Sequence, residues 1–281
     1  MAKNKAEQEP QFIPSPINGQ MINYKVYYMS FGEKLFAFLV TFVLGGLAGL
    51  VFYGGLFKQG GEATMATHVS NIVVFTLIGG IASKFFIPAI KNSFFEKRAK
   101  KLRKQFMDLL EVLSASLSAG NTVNDAFLNA RGDLLNQYSE KEYIIRELAE
   151  ISSGITNGKT LEEMVMSFGA RSNNEDIENF GNVISNCYRL GGNFNDVISR
   201  TRKILGDKIG IEDEIQTKLA SNVLQHNAMC LMPIILVSML KLMNESFSKN
   251  LASGVGVVVT TVAIAIFVGS YFWGRKIIDI K

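Results

Sequence analysis

Residues 35–57 read LFAFLVTFVLGGLAGLVFYGGLF, 23 positions without a single charge. A helix rises ~1.5 Å per residue, so this stretch can cross a bilayer core of ~30 Å. The segment before it is long and polar rather than short and basic, which separates it from a secretory signal peptide. A second apolar run follows almost at once, VSNIVVFTLIGGIASKFFIPAI over 69–90, whose one charge, Lys84, lies near one end where its stem can follow lipid to the headgroups. The two runs together predict a membrane hairpin.

A second hairpin lies toward the other end of the chain. Residues 228–243 read AMCLMPIILVSMLKLM and residues 252–273 read ASGVGVVVTTVAIAIFVGSYFW. Pro233 falls inside the third helix, where a membrane tolerates it and a kink is expected. Gly45 with Gly49, Ala265 with Gly269 and Ser270 with Gly274 put small residues one helical turn apart, so helix backbones can approach closely. The pattern does not say against what.

The flanks orient these helices. Between 91 and 104 stand seven basic residues against the one acid Glu96; Lys97, Arg98, Lys100, Lys101, Arg103 and Lys104 form a basic collar. By the positive-inside rule that side is cytoplasmic, as are Arg275 and Lys276, and the hairpin loops 58–68 and 244–251 lie outside. Both termini are then cytoplasmic, in a multi-pass membrane protein. The expected organisation is a flexible tail over 1–30, with Pro10, Pro14, Pro16 and no helical stripe, then a hairpin over 31–90, a helical bundle over 91–227 and a second hairpin over 228–281. Cys187 and Cys230 fall in the reducing compartment and the membrane, so neither is expected to be bridged.

The fold class expected is all-α. Between 91 and 227 apolar residues recur at helical spacing, with Leu102, Phe106, Leu109, Leu113 and Leu117 on one stripe, and Ile204, Ile211, Ile215, Leu219 and Val223 on another leading to the third membrane helix. Amphipathic helices must bury one face against each other, which predicts a bundle of about six helices near 94–119, 123–137, 140–157, 161–170, 175–190 and 194–227. A short pattern occurs three times: Gly120 with Thr122 and Asp125, Gly158 with Thr160 and Glu163, and Gly191 with Asn193 and Asp196. Each reads as a glycine ending one helix, a side chain capping the next, and a carboxylate in its first turn. Three tight helix corners follow.

A membrane hairpin, a basic collar, a helical domain with SLSAGNTVNDAF and, about 70 residues on, YRLGGNFNDVI, then a second hairpin: this arrangement resembles the type II secretion system F-domain family. Those are inner-membrane platform proteins of secretion and type IV pilus machines, and a single F domain between two hairpins is most similar to the platform subunits of Tad pili. The resemblance covers about 35–281. It implies a non-enzymatic assembly platform, oligomeric alone or with a second related platform protein, that gathers pilin subunits and engages a hexameric ATPase.

Several motifs resemble chemistry without its full signature. The Gly158-Lys159-Thr160 run lacks the glycine a phosphate-binding loop needs five positions earlier, since Ser153 stands there, and a helical pattern precedes it rather than a strand. Capping explains Gly158 and Thr160 already. The Glu162/Glu163 and Glu175/Asp176 pairs are adjacent in sequence and point to different parts of a helix surface, so they do not suit acid–base work. His226 suits an interfacial hydrogen bond, and no serine or cysteine has a plausible histidine partner among the two histidines. Neither a cofactor nor a metal site is expected.

Charge completes the reading. Residues 105–201 carry seven basic and fourteen acidic residues, an acidic body beyond the basic collar. The collar suits anionic lipid, and its place against headgroups suits nucleic acid poorly. Glu147, Glu150, Glu162 and Glu163 suit an electrostatically complementary dock for the ATPase, one that sets orientation and encounter rate. The alternative is a membrane-anchored scaffold or signalling adaptor for a soluble partner. A transporter is disfavoured because no membrane helix carries an internal Asp, Glu or Arg.

Overall fold

A computed structural model describes residues 9–15, 20–57 and 64–278. Among them are a two-stranded antiparallel hairpin, β1 (Phe12–Pro14) and β2 (Gln20–Ile22), and nine helices: α1 (Phe31–Tyr53), α2 (Met65–Ser118), α3 (Val123–Leu134), α4 (Tyr143–Thr156), α5 (Leu161–Arg171), α6 (Glu175–Leu190), α7 (Phe194–Met243), α8 (Glu245–Leu251) and α9 (Gly254–Ile278). The described residues are all-α apart from that small hairpin. It divides into two compact units. One holds the described residues up to Tyr28 with Lys91–Ile211, and the other holds Met29–Ile90 with the described residues from Glu212 onward.

Among the described residues four helices are long and apolar enough to cross a membrane, those at Phe31–Tyr53, Met65–Ser118, Phe194–Met243 and Gly254–Gly274. α2 joins the second apolar run to the helix expected near 94–119 and runs unbroken through Pro88, and α7 carries the helix expected over 194–227 straight on into the third apolar run, through Pro233. Within α7 the two units divide between Ile211 and Glu212. The expected loop 244–251 contains a helix, because Asn244 Oδ1 accepts from Phe247 N at 3.0 Å and caps α8.

In the apolar unit the small residues of α1 meet α2. A Cβ on Gly45 would lie 2.4 Å from Ala82 Cβ, and one on Gly49 would lie 2.8 Å from Ile78 Cδ1. This is the partner that the Gly45/Gly49 spacing left open, a backbone approach that larger residues would prevent. Thr41 and Ser83 join their hydroxyls at 3.2 Å in the same seam. Farther along the chain Gly274 lies under the ring of His226, and that ring stacks on Tyr271 at 5.5 Å between centroids. Gly269 meets nothing within 4 Å.

The bundle unit is built on the first stripe. Leu102, Phe106, Leu109 and Leu113 are fully buried, with Leu117 packed at their end. Phe106 is held edge-on by Phe168 and Phe180, at 6.2 and 5.3 Å between centroids, an arrangement aromatic rings favour beyond simple burial. The second stripe behaves differently. Ile204 is 60% exposed and Ile211, Ile215 and Val223 are exposed as well, while Ile198 and Leu205 carry the buried face of α7. Phe194, Val197 and Ile209 pack beside them. The inward face is offset by one residue from the stripe read in the sequence, a rotation of about 100° around the helix.

The N-terminal tail is the clearest correction. Its described part is not a free segment, because Ile22 and Tyr24 belong to the bundle's hydrophobic core. β1 and β2 pair Phe12 with Ile22, Ile13 with Met21 and Pro14 with Gln20. Pro14, which argues against a helix, also restricts its stretch to extended backbone, and it lies in the short strand β1, where an edge strand accepts it.

Candidate functional site

The three repeated corners share one geometry. Gly120, Gly158 and Gly191 have φ of +91°, +83° and +72°, in the left-handed region where a Cβ is penalised, although open space surrounds each. Thr122 Oγ1 accepts from Asp125 N and Thr160 Oγ1 from Glu163 N, each at 3.2 Å, while Asn193 Oδ1 accepts from Asn195 N and Asp196 N at 3.0 and 3.3 Å. At the second corner Gly158 N donates to Ile155 O and Lys159 N to Gly154 O, at 3.1 and 2.9 Å. Those two N–H groups close α4 and do not face outward, so a phosphate would find no cradle in them.

The basic collar divides by partner. Lys97, Lys100 and Lys104 are exposed. Lys101 pairs with Glu142 at 2.8 Å and Arg103 with Asp176 at 3.2 Å, so both face the bundle. Arg98 is 6% exposed and cannot meet lipid. Its Nη2 donates to Tyr24 O and Val26 O at 3.0 and 2.7 Å, and its guanidinium lies over the Tyr27 ring at 5.0 Å. Burial holds its pKa below the ordinary arginine value. Arg98 therefore clamps the N-terminal segment onto α2.

The proposed acidic dock is altered more deeply. Glu147 is 2% exposed and forms a two-pronged ion pair with Arg171, at 2.8 and 3.2 Å. Tyr24 OH donates to the same carboxylate at 3.0 Å. Arg171 also donates to Ile22 O at 2.8 Å, and Tyr24 N donates to Arg171 O at 2.9 Å. Burial first, and the Glu147 charge second, push the Tyr24 phenol far above its ordinary pKa. Glu150 accepts from Ser15 Oγ at 2.9 Å, and Glu162 accepts from Ser185 Oγ with Arg189 at 3.5 Å. Of the four carboxylates only Glu163 is well exposed, its side chain at 58% with Lys159 3.9 Å away. Glu147 is a buried structural anion, and a buried charge is expensive unless paired. The structure does not bring the four acids together as a free surface.

Two residues of this network carried a readable signal. On α5 the buried positions Leu161, Met164, Val165 and Phe168 lead by helical spacing to Arg171, and on α4 Ile144, Leu148 and Ile151 flank Glu147. A charge on the core face of each of two neighbouring helices implies a pair. Tyr24 gave no such signal, since nothing local distinguishes it from Tyr27 and Tyr28. Gln105 is likewise hidden in sequence: it is buried, donates to Glu142 at 2.6 Å and accepts from Ile144 N at 3.2 Å at the start of α4.

Cys187 and Cys230 are free thiols. Among the described residues no three His, Cys, Asp or Glu side chains converge as a metal site. The geometry is that of a capped helical body held by buried hydrogen bonds and ion pairs, and the described residues also include four membrane-length apolar helices. Neither a curated protein nor a solved structure matches the chain. Residues 109–241, from the last turns of α2 through α3 to α6 and most of α7, match the family model described as type II secretion system (T2SS), protein F, whose members are membrane platform proteins, so this stretch of the chain is a T2SS F domain.

Proposed function

We propose that this protein is a non-enzymatic platform of a type II secretion or type IV pilus machine, most like a Tad subunit, which couples a cytoplasmic ATPase to the assembly or export of pilin subunits. The observation that carries this reading is the F domain matched over 109–241 together with apolar helices before and after it. On this reading the bundle and both termini face the cytoplasm, because Lys97, Lys100 and Lys104 remain exposed just past the second apolar run. The three capped corners are structural, and the exposed lysines meet anionic lipid. The hairpins gather pilins within the bilayer. The chain works as an oligomer, with itself or with a second platform protein.

Docking of the ATPase is assigned to acids that remain free of the core. Glu140, Glu163, Glu175 and Glu178 are exposed, and they replace the set that included Glu147. Complementary charge of this kind sets orientation and encounter rate more than raw affinity. The test is affinity purification of the full chain from crosslinked native membranes, with identification of the bound proteins. A secretion ATPase and pilin-like proteins are the expected companions, and the fourfold Glu→Lys variant at 140, 163, 175 and 178 should lose the ATPase while still inserting. Undiminished ATPase capture by that variant removes the docking face. Wild-type membranes that yield no secretion component overturn the platform reading itself.

A further inference from the structure

The N-terminal segment closes over α2 at the point where that helix leaves its apolar stretch. Ile90 ends the run and Lys91 is the first charge after Lys84. A cleft of about 230 Å³ lies there, lined by Lys25, Tyr27 and Tyr28 on one side and Lys91, Asn92 and Phe95 on the other. We propose that this cleft binds the phosphate of an anionic phospholipid headgroup.

Four observations carry the assignment. Both lysines line the cleft and are exposed, and neither forms an ion pair among the described residues, so two basic residues border one small cleft without a paired acid. The Lys91 ammonium lies 5.6 Å from the centre of the Tyr28 ring, which holds it at the rim. The wall is preformed. Arg98 grips the carbonyls of Tyr24 and Val26, Tyr27 stacks on Phe94 at 6.4 Å, and Gln11 Oε1 accepts from Tyr28 N at 3.1 Å. The volume is below the roughly 300–1,000 Å³ of pockets that enclose drug-sized ligands, and it suits a phosphate with its glycerol better than a nucleotide.

Position selects the lipid over a soluble anion. Tyrosines and lysines at the end of a membrane-spanning run sit at headgroup depth, where the aromatic ring spans the polar boundary and the ammonium meets phosphate. The cleft lies outside residues 109–241, so it is not a feature of the matched domain. The site requires only that α2 crosses a bilayer, and it stands independently of any ATPase.

The experiment uses the full chain in lipid nanodiscs, with bound lipids counted by native mass spectrometry after release. The discs contain phosphatidylcholine alone, phosphatidylcholine with phosphatidylglycerol, or the same mixture with excess inorganic phosphate. Wild type should retain one phosphatidylglycerol more than the Lys25→Gln/Lys91→Gln variant, whose retention falls about thirtyfold, the factor expected of two basic residues near an anionic surface. The Lys25→Arg/Lys91→Arg variant should retain it, which separates lost charge from lost folding. Equal retention by the Gln variant, or equal retention of phosphatidylcholine, overturns the site. Displacement by inorganic phosphate overturns the lipid assignment in favour of a soluble anion. A wild-type chain that does not enter discs defeats the membrane reading, whereas entry without phosphatidylglycerol preference defeats only this site.

Discussion

Replacing Arg171 with Leu should loosen the N-terminal segment and the bundle together. The guanidinium makes two bonds to Glu147 and one to Ile22 O, and the pair is almost sealed from water, with side chains at 9% and 3% exposure. Removing one partner of a buried ion pair leaves the other charge stranded, at a cost of about 3–5 kcal/mol. The Tyr24 hydroxyl remains on Glu147 but cannot replace a full positive charge. At about 2–4 °C per kcal/mol for a unit of the bundle's size, the melting temperature should fall by roughly 6–20 °C. The assay is thermal unfolding of the full chain in micelles, paired with limited proteolysis before Phe31, where cleavage should accelerate because the anchor at Ile22 is lost. The double variant Glu147→Leu/Arg171→Leu separates charge from packing. It should recover most of the loss, since an apolar replacement of a buried pair is often neutral or stabilising. An Arg171→Leu melting temperature within 2 °C of wild type, with unchanged proteolysis, would refute the claim that this pair holds the segment in place.

Three further outcomes follow from the same geometry. Gly191→Ala should destabilise by about 1–2 kcal/mol, because φ is +72° there and no neighbour lies within 4 Å to add a clash; chemical unfolding of Gly191→Ala beside the helix-interior Gly210→Ala, which should be neutral or stabilising, checks that the penalty is conformational. Glu142 is held below the usual carboxylate pKa by its bond from Lys101, helped by Gln105 against the opposing effect of burial. Its contribution is therefore present above the unfolded value near ~4.3 and disappears as pH falls through the lower folded value, and a Lys101→Met variant followed by melting temperature against pH should show a shallower loss in that acidic window. Gly45→Leu should disrupt α1 against α2, because even a Cβ would stand 2.4 Å from Ala82 Cβ; a Cys–Cys crosslink engineered between the two helices should form several-fold more slowly in the variant.

Features repeated along the chain were readable because each rests on local chemistry. The corners at Gly120, Gly158 and Gly191 need only a residue that tolerates positive φ and a side chain that caps, and both choices are made within six positions. The α5–α6 corner escaped that pattern because Asn173, at φ +52°, takes the left-handed position in place of glycine, and Asn174 Oδ1 caps α6 by accepting from Asp176 N at 2.9 Å. Asparagine tolerates that conformation, so the signal was present in a different residue type. The α7 stripe was misjudged for another reason: Ile204, Ile211 and Ile215 are as apolar as Ile198 and Leu205, and periodicity alone cannot say which of two offset faces meets a neighbour.

Residues whose meaning depends on a distant segment could not be read this way. Arg98 looks like one member of a basic run, and local charge density assigns it to lipid with its neighbours. The outcome is decided by Tyr24 and Val26, more than seventy positions away, whose carbonyls offer a guanidinium two acceptors and an aromatic face. Arginine's planar fork and weaker hydration suit burial of that kind better than a lysine ammonium does. Among the collar positions Arg98 and Arg103 are the two arginines, and both turn inward, while Lys97, Lys100 and Lys104 stay exposed. Lys101 reaches Glu142 with a half-exposed side chain. Residue type within the run thus separates the inward-facing arginines from the exposed lysines. The same reasoning applies to the acids, where Glu147 on the core face is committed to Arg171 and Glu163 in the first turn of α5 is left to solvent. An acidic or basic total over a stretch of chain therefore overstates the charge available to a partner, by the amount that the bundle uses to hold its own N-terminal segment.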